Sequence, residues 1–148
     1  SVAGGIVHGN PLAMDSRNCV APFGTLLSLG VQKYILSHLE EFSRMSCPHY
    51  RRACFKALVA THIEGIDRAL APQHVSNDPY YPYTARVGYK NAEEYWNDAS
   101  SYRRVQHVSV PLMSLVAEDD AIVYEPSQSK LSYMLSNPNV IVVKTRCG

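Results

Sequence analysis

Three consecutive carboxylates, Glu118-Asp119-Asp120, are the residues of this sequence best placed to do chemistry. They follow the apolar run 108–117 (VSVPLMSLVA), which is typical of a buried parallel strand. Ligands of open parallel sheets bind outside the carboxyl ends of the strands. One carboxylate at that position could orient a histidine and stabilise its imidazolium during nucleophilic catalysis. Acids after a strand also commonly cap the next helix or solvate a loop, and composition alone favours that reading. Because adjacent side chains point different ways, we expect at most one acid to face a site.

Two other patterns imitate catalytic motifs. Ser28-Leu29-Gly30 matches the second half of a nucleophile elbow, but Leu26 stands where the first glycine belongs, and the surrounding pattern is helical. His62 and Asp67 have a His-x4-Asp spacing, which arises readily by chance in a chain with 6 histidines. We therefore expect Ser28 to lie inside a helix and the His62/Asp67 pair to be a coincidence.

The spacing of the cysteines and histidines predicts neither a metal site nor a disulfide framework. Cys47, His49, Cys54 and His62 could supply four ligands, but they lack the short paired spacings of structural zinc sites. The 4 cysteines are irregularly spaced, so disulfides are not indicated. His8, at the end of a predicted strand, is expected to be a hydrogen-bonded structural residue.

Composition narrows the class of protein. The chain has 148 residues, 46% hydrophobic and 18% charged, which fits a globular domain or part of one. Its net charge of +1 offers no electrostatic footprint for nucleic acid. We see no run of about 20 apolar residues that would span a membrane and no signal peptide. Ser1 begins inside an apparent strand, and Gly148 directly follows another, so both ends look cut through structure.

The elements that must position the acids alternate between strands and helices. Residues 108–144 read as strand, acid loop, helix and strand, which is a βαβ unit and predicts an α/β fold with a parallel sheet. The long helical excursion before it predicts a lid or subdomain. The expected segments are a core strand with its exit loop (1–20), a helical insertion (21–106) and a C-terminal βαβ core (107–148). Within them we predict strands at 2–9, 108–117 and 140–144, helices at 25–45, 50–62, from Asn91 and at 125–135, and no periodic structure over 64–90.

Residues 110–123 (VPLMSLVAEDDAIV) resemble the strand and acid loop of α/β-hydrolases. Four further features, in order, resemble the YheT-like, embryogenesis-associated branch of that superfamily. They are an early strand ending in Asn10-Pro11 before a long helix, the segment 63–67 (IEGID), the segment 88–95 (GYKNAEEY) followed by Ala99-Ser100, and Asn137-Pro138-Asn139 before the strand 140–143 and Gly148.

The resemblance implies a C-terminal fragment of a serine hydrolase acting on carboxylic esters, chiefly lipid acyl esters. It places the catalytic acid at Asp120, with Asp119 second because Ala121 replaces the proline that usually follows the acid. The nucleophilic serine would lie upstream of Ser1 and the histidine beyond Gly148, so this chain alone should be inactive. No metal or organic cofactor is implied, and the partner is a small-molecule ester or lipid substrate.

The helical insertion would then shape the acyl pocket. Phe23, Leu27 and Val31 are its predicted wall residues, and the tyrosine-rich loop 80–89 would either line a lipid-facing rim or pack over the lid. Alternative functions are acyl transfer to an alcohol on the same fold and a non-catalytic binding module. A complete small α/β protein is a third reading. Eukaryotic members of this family often carry an N-terminal membrane anchor, so the resemblance implies a protein that is either cytoplasmic or membrane-associated through a segment outside this chain.

Overall fold

The computed structural model describes residues 3–10, 12–15, 19, 22–44, 48–71 and 88–148. The chain divides into two units, each with its own core. We call Ser1–Cys19 with Trp96–Gly148 the sheet unit and Val20–Tyr95 the helical unit. Among the described residues, none of the helices has both the length and the apolar character needed to cross a bilayer.

The sheet unit contains a parallel sheet of order β1-β2-β3. Its strands are β1 (Gly5–His8), β2 (Leu112–Ala117) and β3 (Val140–Thr145). Gly5 aligns with Leu112, and Leu112 aligns with Val140. Helix α6 (Gln128–Leu135) connects β2 to β3, as the predicted βαβ unit requires. A parallel three-stranded sheet with helices is compatible with the predicted α/β class.

β2 begins later than the apolar run that predicts it. The run starts at residue 108, whereas the strand starts at Leu112, directly after Pro111. Proline has no amide hydrogen to donate to a ladder, so it suits the entry of a strand. The Pro111 carbonyl still accepts a hydrogen bond from the Gly5 amide at 2.9 Å. Pro111 therefore marks the edge of the β1–β2 pairing.

The core of the sheet unit packs against one face of the sheet. Its buried residues are Leu12, Val105, Val116, Met134 and Val140. Asn137 is buried at the end of α6, where its side-chain amide donates to the carbonyls of Val105 (2.7 Å) and Val108 (3.0 Å). A buried amide needs such partners to offset desolvation. The predicted helix stop at Asn137 is thus also a link between α6 and the segment before β2.

The helical unit begins with α1 (Phe23–Ser37), α2 (Leu39–Arg44) and α3 (Pro48–Leu58). The prediction of a single helix over 25–45 is wrong, because the helix is interrupted at His38, between α1 and α2. The Tyr34 carbonyl meets both the Ser37 hydroxyl and the His38 Nδ1, each at 2.9 Å. Side chains that compete for helix carbonyls in this way favour termination. Pro48 then opens α3 in the first-turn position that proline tolerates.

α4 (Ile63–Leu70) contradicts the prediction that periodicity fails over 64–90. The His62 side chain accepts a hydrogen bond from the Glu64 amide at the N-terminus of α4, and Glu64 pairs with Arg68 one turn later. Ile66 is 2% exposed and anchors the helix in a core with Ile35, Tyr50, Cys54 and Ala57. Burial in the core of the helical unit therefore stabilises α4, which is too short to be predicted from its composition.

α5 (Ala92–Ala99) follows the predicted cap. The Glu94 amide donates to Asn91 Oδ1 at 2.8 Å, while Glu94 Oε2 accepts from the amide of Lys90 at 2.7 Å. The reciprocal bond thus reaches one residue earlier than the Asn91 amide expected for a capping box. A 3₁₀ helix over Ser101–His107, which the sequence did not predict, leads from α5 towards β2.

Candidate functional site

The predicted acids lie on a turn that leaves the carboxyl end of β2. We call residues 118–125 the acid loop. The Glu118 amide donates to the Thr145 carbonyl at 2.9 Å, so the loop begins while the chain is still paired with β3. This is the edge of a parallel sheet where ligands bind. The location predicted for the acids is therefore the one observed.

Asp120 uses one carboxylate oxygen to organise the loop. Its Oδ1 accepts hydrogen bonds from the amides of Ile122 at 2.8 Å and Val123 at 2.9 Å. No donor among the described residues contacts the other oxygen, Oδ2. Two bonds to one oxygen hold the carboxylate in a single orientation. Asp120 can therefore present Oδ2 to a further donor without moving.

Asp119 has a different partner. Its Oδ1 accepts a hydrogen bond from the Gly148 amide at 3.0 Å, across 29 residues of sequence. A Cβ added to Gly148 would lie 3.3 Å from the Ala117 Cβ, so the backbone after β3 passes close to the end of β2. The two adjacent acids thus engage different backbone groups, as expected for neighbouring side chains. The segment after β3 is held against the acid loop.

Lys144 joins the two ends of the acid loop, a role that was not predicted from the sequence. Its Nζ lies 3.0 Å from Glu118 Oε1 and 3.0 Å from Glu125 Oε1. The hydrogen bonds to Glu118 and to Glu125 raise the pKa of the Lys144 ammonium. The signal was present, because parallel strands end at the same edge and Lys144 lies at the end of β3. A lysine there faces acids that follow β2.

His8 ends β1, at the same edge of the sheet as the acid loop. Its side chain is exposed, and no described residue forms a hydrogen bond or ion pair with it. The expectation that His8 is a hydrogen-bonded structural residue is therefore not met among the described residues.

The serine, histidine and aspartate that imitate catalytic motifs lie within helices or at a helix N-terminus. Ser28 is 1% exposed in the middle of α1, and its hydroxyl donates to the Thr25 carbonyl at 2.7 Å. Ser28 lies inside a helix and not at a strand-to-helix turn, so it lacks the geometry of a nucleophile elbow. His62 places its Nδ1 3.4 Å from the Glu64 amide at the start of α4. Asp67 lies on α4 itself, in the helical unit, whose described residues form no strand.

The described residues contain no cluster of three or more groups suited to holding a metal ion. Cys47, one of the four residues considered as zinc ligands, lies outside the described part of the chain. Cys54 is a buried thiol beside Tyr50, and burial raises the pKa of both groups. Such a thiol is mostly protonated and behaves as a small apolar side chain.

The predicted wall residues lie on α1. Phe23 and Leu27 are exposed, and Val31 packs partly against the core of the helical unit. Their role in a substrate pocket stays a prediction. Residues 80–87 of the tyrosine-rich loop lie outside the described ranges, whereas Tyr89 is buried and makes an edge-on contact with Tyr95 at 5.6 Å.

Three curated proteins illustrate what the chain resembles in sequence. It is 32% identical over 94 residues to a monoacylglycerol lipase of Saccharomyces cerevisiae, covering 64% of this chain and 19% of the relative. It is 39% identical over 107 residues to phospholipase ABHD3 of Mus musculus, covering 68% and 26%. The match to phospholipase ABHD3 of Bos taurus is 37% over 62 residues, covering 41% and 15%.

The chain therefore spans about a quarter or less of the length of these relatives. No family model matches it, and no solved structure matches it. The relatives are α/β-hydrolases, so the similarities support a relationship to that superfamily. They do not distinguish the narrower YheT-like branch.

Proposed function

We propose that this chain is part of a serine hydrolase of carboxylic esters, with lipid acyl esters as its substrates. In this proposal the sheet unit supplies the acid of a catalytic triad and the helical unit serves as the lid. The observation that carries the proposal is the carboxylate of Asp120 at the carboxyl edge of a parallel sheet, with Oδ1 fixed by two backbone amides and no hydrogen-bond donor to Oδ2 among the described residues. The lipase and phospholipase relatives support the ester chemistry.

The proposed mechanism uses Asp120 to hold a histidine. A serine hydroxyl attacks the ester carbonyl while the histidine takes its proton, and backbone amides stabilise the oxyanion. The histidine then protonates the leaving alcohol, and a water molecule, deprotonated by the same histidine, releases the acid from the acyl-enzyme. Throughout, Asp120 Oδ2 accepts the imidazole N–H and stabilises the imidazolium. The serine and histidine are proposed to come from polypeptide outside these 148 residues.

The contact between Asp119 and Gly148 supports a histidine close to the acid loop. Since the Gly148 amide is held 3.0 Å from Asp119 Oδ1, residues that follow Gly148 would start beside the acid loop. In this arrangement Asp119 positions the backbone and Asp120 contacts the histidine. The proposal therefore gives the two candidate acids separate roles.

The finer assignment to the YheT-like, embryogenesis-associated branch is part of the proposal. It is supported by the ordered segments 63–67, 88–95 and 137–143, together with the early strand before a long helix. The lid role of the helical unit, with Phe23, Leu27 and Val31 on an acyl pocket, rests on the same resemblance.

The test is a pair of isosteric substitutions in the intact protein, assayed with a p-nitrophenyl ester and with a monoacylglycerol. Asp120→Asn keeps a carbonyl oxygen for the Ile122 and Val123 amides, so the loop should remain folded. The NH2 group that replaces Oδ2 cannot accept from imidazole, so we expect kcat to fall by about 10⁴. Asp119→Asn is the matched control, and we expect it to retain at least a tenth of the activity.

The opposite pattern, with Asp119→Asn nearly inactive and Asp120→Asn active, would show that Asp119 is the triad acid. Full activity in both variants would refute the hydrolase mechanism at this loop. An intact protein that binds lipid but hydrolyses neither ester would favour the non-catalytic binding module. Circular dichroism and unfolding curves for each variant exclude loss of fold as the cause.

A further inference from the structure

The helical unit contains a cavity whose lining includes none of the residues proposed to act in ester hydrolysis. It has a volume of about 250 Å³ and lies between α2 and α3. Its lining consists of Leu39, Phe42, Ser43, Arg51, Cys54, Phe55 and Leu58.

The lining of this cavity is almost wholly apolar. Phe55 is 63% exposed and Leu39 40% exposed, so large apolar side chains at the cavity are left in contact with water. Ser43 adds little polarity, because its hydroxyl donates to the Glu40 carbonyl at 2.7 Å within α2. An alkyl chain in the cavity would remove this apolar surface from water.

Arg51 is the one charged residue of the lining. Among the described residues, no carboxylate pairs with it. The sequence of α3 has no acidic residue, and Arg52 and Lys56 add further positive charge to its exposed side. On the other wall, Glu40 and Glu41 of α2 lie outside the lining. Arg51 is therefore the charged group at the cavity itself, and it favours an anionic group on the ligand.

We propose that the cavity binds a single-chain fatty acid, with the alkyl chain between α2 and α3 and the carboxylate on the Arg51 guanidinium. Arginine is suited to this contact because its planar fork can donate two parallel hydrogen bonds to a carboxylate. The volume of about 250 Å³ lies below the ~300–1,000 Å³ of sites for larger organic ligands, so it suits one chain and not a two-chain lipid. This binding is non-covalent and does not depend on the proposed hydrolysis.

The experiment measures binding to the intact protein by isothermal titration calorimetry, with decanoate below its micelle concentration as the probe. Decanamide, which is uncharged and is not an ester, tests the contribution of the negative charge. We expect decanoate to bind with one-to-one stoichiometry and about tenfold more tightly than decanamide. Arg51→Ala should weaken decanoate binding about tenfold and remove the preference for the acid over the amide.

Arg52→Ala is the matched control, because it removes a neighbouring exposed cation of α3 that does not line the cavity. It should leave decanoate binding unchanged. Ser43→Phe tests the location, since a larger side chain at this exposed position should occupy the cavity and abolish binding. Its unfolding midpoint should match that of the unsubstituted protein.

Equal weakening by Arg51→Ala and Arg52→Ala would overturn the proposal in favour of general electrostatic attraction. Binding to phosphatidylserine vesicles without any binding of monomeric decanoate would show a membrane-facing surface instead. Decanoate binding that is lost in Asp120→Asn but kept in Arg51→Ala would place the ligand at the hydrolytic site. Because Asp120→Asn should keep this binding, failure of the cavity proposal and failure of the proposed hydrolysis are distinguishable.

Discussion

The acid loop of the sheet unit and helix α1 of the helical unit differ in the side chains that they present to solvent. In the acid loop, Asp119 and Asp120 each have a defined backbone donor, and Lys144 links Glu118 to Glu125. In the helical unit, α1 leaves large apolar side chains such as Leu29 exposed to water. The first arrangement fixes the direction of a polar group, and the second leaves apolar surface available for contact. Catalysis by a triad needs the former, and recognition of an acyl chain needs the latter.

α1 shows the difference most clearly. Its buried residues are Gly24, Ser28 and Ile35, whereas Leu26 and Leu36 are 59% and 57% exposed. A helix that is apolar around its circumference is usually covered on more than one side. We therefore expect α1 to contact an apolar partner on its exposed side, which agrees with the proposed lid.

The largest stability effect should come from the core of the sheet unit. Met134 is fully buried, so Met134→Ala should cost about 2–5 kcal/mol of unfolding free energy through lost burial and a residual cavity. Urea unfolding measures the cost, and hydrogen exchange shows where it acts. We expect amides of β2 and β3 to lose protection before those of α3 and α4.

Met134→Leu is the control, because a volume-conserving change should cost under about 1.5 kcal/mol. Equal loss of protection in α3 and α4 would mean that the two units unfold as one, and the comparison between them would then describe surface chemistry only.

An intermediate effect should come from the cap of α5. Asn91→Ala removes the acceptor of the Glu94 amide and should cost about 1 kcal/mol. Asn97→Ala is the matched control, since Asn97 is exposed on the same helix and alanine has the higher helix propensity. Chemical denaturation of both variants gives the comparison. A cost for Asn97→Ala as large as that for Asn91→Ala would contradict the capping role.

The smallest stability effect should come from the exposed face of α1. Leu29→Ser combined with Leu36→Ser should change the unfolding free energy by no more than about 0.5 kcal/mol per site, because both side chains are already in water. The same variant should bind less of an apolar fluorescent dye. Ile35→Ser, at a buried position of α1, should by contrast destabilise strongly. A large cost for the Leu29/Leu36 variant would show that this face is covered in solution.

Local patterns in the sequence determined much of the sheet unit and the start of α5. Val140 to Lys144 is rich in β-branched residues and forms β3, and Asn91 and Asn137 mark helix ends where their short polar side chains bond to nearby backbone. The position of the acids after β2 was likewise predictable, since an apolar run followed by charge indicates a strand leaving the core. These features depend on interactions within a few residues.

Only the tertiary structure decided which groups meet across long stretches of chain. α4 depends on burial of Ile66, although the spacing of Ile63, Ile66 and Leu70 offered a signal. The contact of Asp119 with Gly148 and the bridge through Lys144 follow from how β2 and β3 align. The cavity beside Arg51 exists because α2 and α3 leave space between them. The positions of these groups depend on how different segments of the chain pack together. The residues next to each group in sequence therefore do not predict them.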